Sequence, residues 1–501
     1  RLTGVPGVAA LTAGPGLTNA ITPIKNAQLA QSPIVVFGGA TATMLKGRGA
    51  LQDIDQLALI QPHVKLAISV QRVRDLVPSV ERAFAEARSG VPGPVFVEVP
   101  VDLLYPEAVV REWYGLGGRK GGLAGWAQRI YLGRLVIRLF ALADQSQPTP
   151  ALVEPVPAPD SAVVLQIARK LKTSKRPVLL VGSQALCEPD RVPAIAEAVD
   201  RLGVPTYLSG MARGLLGARH PLHCRHQRRA ALKRADLVIL AGVPCDFRLD
   251  YGRSIGKGAT LISANRSRQD LKLNRNPDIA VPADPGCLLV DLARAAPAAA
   301  GAWSDWREKL ATRDAAREEE IDQQGAAAGE RVNPVALCRA VNEALPEDSV
   351  VVADGGDFVG TASYIVRPRA PLTWLDPGAF GTLGVGAGFA LGAKLCRPEA
   401  EVWIMFGDGS LGYSITEFDT FIRHELPVIA VVGNDACWSQ IAREQVKLLE
   451  DDTGVMLGRT DYHRVVAGFG AGGLLIERDD ESADVLGQAR DVAAGGHAVL
   501  V

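Results

Sequence analysis

Short apolar stretches alternate with helix-like stretches through most of this 501-residue chain. Three of the apolar stretches, residues 7–14, 32–39 and 93–100, contain β-branched side chains and are bounded by glycine or proline, as buried strands are. A stretch of helical period, residues 73–90, precedes the third of them. Because parallel strands need a crossover helix between them, the alternation predicts an α/β fold of doubly wound parallel sheets.

The same pattern occurs in three blocks, which predicts three related α/β domains. They are residues 1–105, 161–300 and 335–501. We expect a linker over residues 106–160 and a charged helical connector over residues 301–334. The linker contains an amphipathic stretch, residues 126–143, that we interpret as one packing helix. Arginine and aromatic side chains among its leucines and isoleucines keep a membrane-surface helix open as the alternative.

Composition narrows the classes of partner and compartment. The formal net charge is -1 and no long run of one sign occurs, so nothing points to a nucleic-acid partner. No apolar run reaches the ~20 residues that span a bilayer. Seven scattered cysteines without a CxxC pair indicate reduced thiols. Because the sequence starts at Arg1 and stops inside an apolar run at Val501, we expect it to be cut at both ends.

Acidic residues follow two successive apolar runs in the third block. Asp408 follows residues 402–407, and Asn434 and Asp435 follow residues 427–433. Because ligands bind beyond the carboxyl ends of parallel strands, we expect both acids at one edge of a sheet. Two carboxylates suit a hard cation such as Mg²⁺. Two unrelated turn acids are the alternative.

Glycines surround these acids and fill a second stretch. Gly409 and Ser410 can offer backbone N–H groups to a phosphate at the start of a helix. Residues 376–395 contain several more glycines. No clear strand precedes that stretch, which argues against a dinucleotide-binding loop. We interpret these glycines as sites where the backbone closely approaches a flat ligand.

These spaced motifs resemble the metal–diphosphate motif of thiamine-diphosphate enzymes. Asp435 stands where that family usually has a second asparagine. The resemblance implies Mg²⁺ held by Asp408, Asp435 and the backbone carbonyl of Cys437. It also implies thiamine diphosphate bound by Gly381, Leu383, Gly407, Asp408, Gly409, Ser410, Asn434 and Asp435. In the family, the residue at Leu383 is the apolar wedge under the thiazolium ring, and the carbonyl at Gly381 accepts from the 4′-amino group.

The first block resembles the pyrimidine-binding domain of the same family, in residues 12–39 and 51–55. Gln52 stands where these enzymes have a glutamine in the catalytic site. The glutamate that activates the cofactor would lie upstream of Arg1, so the principal catalytic acid is outside this sequence. The resemblance implies pyrimidine-binding, central and diphosphate-binding domains, with sites shared between the subunits of a homodimer or tetramer.

Within the family, residues 355–362 and 374–398 are similar to the acetolactate synthase-like group of 2-hydroxyacyl-CoA lyases. The implied reaction cleaves a 2-hydroxyacyl-CoA to a shorter aldehyde and formyl-CoA, as in fatty acid α-oxidation. One alternative is an acetolactate-synthase-type carboligase with FAD that uses another small 2-oxo or 2-hydroxy acid. Val101 stands where that enzyme has lysine, which weakens this alternative. The other alternative to the lyase is a catalytically inactive homologue or scaffold subunit. The resemblance also implies an endoplasmic reticulum membrane location, through an anchor outside this sequence.

The central block carries two clusters of polar residues. A basic run either meets CoA phosphates or is a solvated helix face, and we favour the solvated face. It consists of Arg225, Arg228, Arg229, Lys233 and Arg234. The second cluster consists of His220, His223, Cys224 and His226. Their spacing along the chain does not bring the four side chains to one face, as a zinc site requires, so we interpret the cluster as structural.

Overall fold

The computed structural model describes residues 1–116, 123–145, 148, 154–299, 301–327 and 329–501. The chain divides into two compact units, the first comprising residues 1 and 5–156 and the second residues 2–4 and 157–501. The described residues form three parallel sheets flanked by helices, as the sequence predicts. Across the described ranges, no helix combines the length and the apolar character needed to cross a membrane.

The first unit contains one parallel sheet with strand order β1-β2-β4-β3. Its elements are β1 (Gly7–Leu11), α1 (Pro15–Asn19), α2 (Ile21–Leu29), β2 (Ile34–Ala40), α3 (Gln56–Ile60), β3 (Leu66–Ser69), α4 (Leu76–Arg88), β4 (Pro94–Pro100), α5 (Glu107–Trp113) and α6 (Leu123–Phe140). Strand β4 is buried along its whole length, which is why its sequence is a continuous apolar run interrupted only by Glu98.

Helices α5 and α6, which lie inside the predicted linker of residues 106–160, belong to the first unit. Leu132, Val136 and Leu139 of α6 are buried in one apolar cluster with Val95 and Val97 of β4. Their spacing forms an apolar stripe on one helix face, which has to be buried against the sheet. The stretch is therefore a packing helix. The remaining residues of the predicted linker, 117–122, 146–147 and 149–153, lie outside the described residues.

The central sheet of the second unit has strand order β6-β5-β7-β8-β9. Its elements are α7 (Ser161–Thr173), β5 (Pro177–Val181), α8 (Val192–Leu202), β6 (Thr206–Leu208), α9 (Arg228–Arg234), β7 (Leu237–Ala241), β8 (Thr260–Ala264), α10 (Arg268–Leu271), β9 (Ile279–Val281) and α11 (Pro285–Ala295). The connector forms α12 (Ser304–Gly325), as predicted.

The C-terminal sheet has strand order β11-β10-β12-β13-β15-β14. Its elements are α13 (Pro334–Ala344), β10 (Val350–Ala353), α14 (Asp357–Ile365), β11 (Trp374–Leu375), α15 (Gly386–Cys396), β12 (Val402–Gly407), α16 (Asp408–Leu411), α17 (Glu417–Arg423), β13 (Val428–Gly433), α18 (Ser439–Leu449), α19 (Tyr462–Gly468), β14 (Gly472–Gly473), α20 (Ser482–Ala494) and β15 (Val499–Leu500). Strands β10, β12 and β13 are neighbours, so the segments that follow them meet at one edge.

Helix α12 joins the two sheets of the second unit through one carboxylate. Glu318 accepts from His226 at 2.9 Å on the central side, and from Arg339 at 2.8 Å and Arg367 at 2.9 Å on the C-terminal side. Burial alone would raise the pKa of Glu318, but the hydrogen bonds from His226 and Arg339 and the charge of Arg367 outweigh it and hold that pKa below its usual range.

Replacing Glu318 with glutamine is expected to lower the free energy of unfolding by about 3 kcal/mol, because it removes the carboxylate that pairs with the part-buried Arg225 and Arg367. Chemical denaturation of the purified protein measures this. Glu320→Gln is the matched control, since Glu320 is 57% exposed and pairs with Arg317 on the surface of the same helix. An equally small loss in both variants would show that Glu318 does not join the two sheets.

Candidate active site

Three chain segments follow the carboxyl ends of adjacent strands and lie at the same edge of the C-terminal sheet. They are residues 354–356 after β10, 408–410 after β12 and 434–436 after β13. Gly407 and Gly433 are direct register partners at the ends of β12 and β13. This edge is where ligands bind in parallel sheets, so the structure brings the predicted acids to the predicted place.

Asp408 is in contact with the turn that contains Asp435. The buried Asp408 carboxylate accepts from the N–H of Gly409 through Oδ1 at 2.8 Å and from the N–H of Ala436 through Oδ2 at 2.8 Å. Burial raises the pKa of Asp408, and the charge of Asp435 adds to the rise, whereas those N–H groups oppose it. Two carboxylates therefore face one small region, where a cation would offset their mutual repulsion.

Asp435 and Asn434 contribute the remaining oxygen atoms. Asp435 is exposed and accepts from the N–H of Cys437 at 3.2 Å and from the hydroxyl of Ser439. Asn434 donates through Nδ2 to the carbonyl of Thr460 at 3.0 Å. Its buried Oδ1 has no hydrogen-bond partner among the described residues. When a protein lacks its metal, an oxygen atom that would bind the cation is left without a hydrogen-bond donor.

The donor set fits Mg²⁺ and does not fit a soft metal. Within the described residues, no group of three or more His, Cys, Asp or Glu side chains could hold a metal ion. The structure instead offers two carboxylates, an amide oxygen and backbone carbonyls. Mg²⁺ prefers oxygen, and it commonly takes one or two carboxylates from the protein and the rest of its ligands from water and phosphate.

Glycine is required where these segments pass large side chains. A Cβ on Gly409 would lie 2.4 Å from the ring of Trp438, and one on Gly433 would lie 2.4 Å from Phe358. Ser410 closes the turn at the start of α16, because its hydroxyl donates to the carbonyl of Gly407 at 3.0 Å. The side chain of Ser410 thus shapes the loop, and the phosphate-binding role of its backbone N–H stays a prediction.

The glycine stretch before α15 forms a loop held over the same edge. Gly381 has a φ of 65°, and a Cβ there would meet no atom within 4 Å, so its surroundings are open. Leu383 packs on Gly355, where a Cβ would lie 2.1 Å from Leu383 Cδ2. The structure therefore brings Gly381 and Leu383 next to the segment that follows β10.

Asp354 fixes this loop, and the sequence reasoning missed it. Its buried carboxylate accepts from the N–H of Gly384 at 2.9 Å and from the N–H of Gly386 at 2.6 Å. Burial raises the pKa of Asp354 to about 6, against the effect of these two hydrogen bonds. A signal was present, because Asp354 and Gly355 follow an apolar strand just as Asp408 and Gly409 do.

The raised pKa of Asp354 predicts a pH-dependent stability. The folded protein binds this proton more tightly than the unfolded chain, so the contribution of Asp354 falls as pH rises from about 4 to about 6. The rise in pKa from 3.8 to about 6 corresponds to about 3 kcal/mol. Urea unfolding across this interval should show the wild type losing that stability relative to Asp354→Asn. A difference between the two proteins that stays constant with pH would contradict the assignment.

Gln52 and its surroundings belong to the first unit. Gln52 is exposed, with a φ of 64°, and a Cβ on Gly14 would lie 2.8 Å from its carbonyl oxygen. The buried glutamine of this region is Gln56, which accepts from Gly14 N–H at 3.2 Å and donates to Glu98 at 3.1 Å. The catalytic role of Gln52 stays a prediction, and Gln56 is the residue that shapes the turn.

A basic cavity of about 590 Å³ lies beside the central sheet. Its lining includes six arginines, Arg213, Arg225, Arg228, Arg229, Arg248 and Arg317, and two histidines, His223 and His226. Asp250 is the one acidic side chain among the described lining residues. Carboxylates pair with four of the lining arginines, Arg225, Arg229, Arg248 and Arg317. The charges of Arg213 and Arg228 are left for an anionic ligand.

Several of these arginines are held in place by backbone carbonyl groups. Arg213 donates to the carbonyl of Ser363 and lies over the ring of Trp374. Arg225 donates to the carbonyls of Tyr364 at 2.8 Å and Ile365 at 3.1 Å. Because carbonyl groups carry no net charge, these bonds do not neutralise Arg213, whereas Arg225 also lies 3.7 Å from a carboxylate oxygen of Glu318.

The predicted basic run divides into two parts. Arg225, Arg228 and Arg229 line the cavity. The favoured interpretation of a solvated face is wrong for Arg225 and Arg228, whereas the side chain of Arg229 is 71% exposed, as that interpretation expects. The reason is local, since α9 begins at Arg228 and its first turn faces the cavity. Lys233 and Arg234, at the other end of that short helix, are exposed and lie outside the cavity lining.

The histidine cluster has separate partners. His220 pairs with Asp200 at 3.3 Å, whereas His226 pairs with Glu318. His223 is enclosed, and burial, with the charge of Arg225, lowers its pKa to about 3. These side chains do not converge on one point, which agrees with a structural role.

Comparison with known protein families identifies the family that has this architecture. The description "Thiamine pyrophosphate enzyme, N-terminal TPP binding domain" fits residues 1–59, the corresponding central domain fits residues 164–292, and the C-terminal TPP binding domain fits residues 354–501. The chain belongs to the thiamine pyrophosphate enzyme family. In a member of this family, the edge with Asp408 and Asp435 is part of the C-terminal domain that binds thiamine pyrophosphate, also called thiamine diphosphate.

Two groups of thiamine pyrophosphate enzymes are similar to the chain over nearly its whole length. Human 2-hydroxyacyl-CoA lyase 2 is 50% identical, with 100% of this chain and 80% of the relative covered. The lyase 2 of Bos taurus is 49% identical, with the same coverage. The acetolactate synthase large subunit of Mycobacterium tuberculosis is 32% identical, with 95% of this chain and 80% of the relative covered.

Proposed function

We propose that this thiamine pyrophosphate enzyme is a lyase that cleaves 2-hydroxyacyl-CoA into formyl-CoA and an aldehyde one carbon shorter. The observation that carries the proposal is the identity of about 50% with proteins named 2-hydroxyacyl-CoA lyase 2, across the whole chain. The match to acetolactate synthase is weaker, at 32%. Because the chain covers 80% of these lyases, the assignment concerns the same domains in the same order.

The C-terminal edge would hold the cofactor and its cation. Thiamine diphosphate, when bound, supplies the nucleophilic carbon that adds to the substrate carbonyl. Asp408 and Asp435, with the carbonyl of Cys437, would hold Mg²⁺, and the free Oδ1 of Asn434 is available beside them. The cation and these ligands would neutralise a diphosphate and hold it in position. They would not contact the carbon–carbon bond that breaks.

The loop before α15 would shape the cofactor site. Asp354 ties this loop to the end of β10 through Gly384 and Gly386, so Leu383 is held at a defined place. An apolar side chain fixed there can support a ring from below and exclude water. Gly381 is exposed and its surroundings are open, so a ligand would have access to its backbone.

The basic cavity would receive the nucleotide end of the substrate. CoA carries a diphosphate and a 3′-phosphate, whereas FAD carries a diphosphate alone. Arg213 and Arg228 line the cavity and form no ion pair among the described residues, so we infer that they meet the phosphates of CoA. We assign the cavity to CoA, and a purified protein that contained flavin would contradict this assignment.

Two further properties follow from the resemblance and belong to the same proposal. We propose a homodimer or tetramer, because family members build each site from the pyrimidine-binding domain of one subunit and the diphosphate-binding domain of another. We also propose an endoplasmic reticulum membrane location. Sedimentation of the purified protein and fractionation of cells that express it test these two properties.

Product analysis tests the reaction. The natural full-length protein is incubated with Mg²⁺, thiamine diphosphate and a long-chain 2-hydroxyacyl-CoA, and the products are identified by mass spectrometry. A shortened aldehyde together with formyl-CoA is the expected result. Formation of acetolactate from pyruvate, or no turnover of either substrate by a protein that binds the cofactor, would overturn the proposal.

A further inference from the structure

We propose that the outward face of α6 in the first unit lies on an anionic lipid surface, with its aromatic and aliphatic side chains among the headgroups. This inference concerns a part of the molecule that the cofactor site and the basic cavity do not use. It does not depend on the reaction proposed above.

The two faces of α6 differ in what they contact. Leu132, Val136 and Leu139 are buried in the core of the first unit. Large side chains on the outward face remain exposed: Trp126 (63%), Ile130 (37%), Tyr131 (62%) and Ile137 (59%). A helix docked on a protein core usually has a polar outer face, so an outer face with these side chains is incompletely covered.

The apolar exposed side chains form one stripe. Residues 126, 130 and 137 are separated by four and seven positions, a spacing that places them on the same side of a helix. Tryptophan and tyrosine have an apolar ring with a polar group, and they concentrate where a membrane meets water. A stripe of Trp and Ile beside Tyr is thus the pattern of a helix that lies in the membrane surface.

The charge on α6 selects the kind of lipid. Arg129, Arg134 and Arg138 are its charged residues, and no acidic residue occurs from residue 123 to residue 143. Arg134 and Arg138 are exposed, and neither forms an ion pair among the described residues. Their charge is therefore available to phosphate groups of anionic lipids.

The same charges argue against a second copy of the chain as the occupant. A twofold contact between two α6 faces would bring arginines of one copy towards those of the other without any acid on the helix to pair with them. A lipid surface supplies an apolar layer for Trp126 and Ile137 and negative charge for Arg134 and Arg138. A lipid surface therefore accounts for both the apolar stripe and the exposed arginines of α6.

Vesicle flotation of the 501-residue chain tests the proposal. We expect binding to vesicles of phosphatidylcholine and phosphatidylserine, weaker binding to phosphatidylcholine alone, and a loss of binding at high salt. The double substitution Trp126→Ser with Ile137→Ser is expected to weaken binding about tenfold or more. Arg134→Glu with Arg138→Glu should remove the preference for phosphatidylserine.

Matched controls lie on α7 of the second unit. Leu165→Ser and Lys172→Glu change an exposed apolar and an exposed basic side chain there, and they should leave vesicle binding unchanged. Circular dichroism confirms that each variant is folded. Vesicle binding that α6 substitutions do not alter would overturn the proposal. So would α6 substitutions that change the oligomeric state in sedimentation and leave vesicle binding as it was, since the face would then contact protein.

Discussion

Replacing Asp408 with alanine is expected to lower kcat/KM by about 1000-fold or more. The substitution removes the proposed oxygen ligand of the cation and also the acceptor of the Ala436 N–H, so the turn that carries Asp435 loses its link to β12. Without the cation, a diphosphate would face the remaining carboxylate. The same variant should not be stabilised by Mg²⁺ with thiamine diphosphate in a thermal shift assay, whereas the wild type should be.

Two further variants make this result specific. Asp435→Asn keeps an oxygen at the second position, so we expect a loss of less than about tenfold. Asp419→Ala removes an exposed acid of α17 that pairs with Arg423, and it should behave as the wild type. If Asp408→Ala bound the cofactor as the wild type does, the proposed role of this edge would be wrong.

Replacing Arg228 with alanine is expected to raise the KM for a 2-hydroxyacyl-CoA by about 10- to 100-fold, with a much smaller change in kcat. Arg228 lines the basic cavity and donates to the carbonyl of Arg248 at 2.8 Å, and it forms no ion pair among the described residues. Burial lowers the pKa of Arg228, and the charges of Arg213 and Arg248 lower it further. A phosphate would relieve this repulsion.

Arg234→Ala is the matched control for Arg228. Both residues belong to α9, but Arg234 is exposed and does not line the cavity. We expect its steady-state constants to remain those of the wild type. Equal increases in KM for both variants would indicate a general effect of charge, and a loss confined to kcat would place Arg228 outside CoA binding.

The core of the candidate site could be predicted from sequence because its acids directly follow strands. Asp408 comes after β12 and Asp435 closely follows β13, and both strands are continuous apolar runs. In a parallel sheet, the ends of such runs meet at one edge, so their positions along the chain carry enough information. The fold class was predictable for the same reason.

The position of Asp354 in the chain does not show which groups its carboxylate binds. Its partners, Gly384 and Gly386, lie in a loop without regular period, so only the folded backbone brings their N–H groups to the carboxylate. Glu318 is a similar case, because it stands among several acids of α12 and its sequence neighbours give it no distinction. The arrangement of the two sheets determines which of these acids meets His226 and Arg339.

Composition and packing indicate different ends for the first domain. Residues around α6 are rich in glycine, proline and basic side chains, which favours a linker. Leu132, Val136 and Leu139 nevertheless form a buried stripe. The helical period inside that segment was the better guide to the boundary of the first unit.

Isothermal titration of thiamine diphosphate into the full-length protein tests the central claim, that Asp408 and Asp435 hold a cation which binds the diphosphate. We expect saturable binding with Mg²⁺ present and none after the metal is removed with EDTA. Binding that was equally tight with and without the metal, or no binding in its presence, would contradict the account.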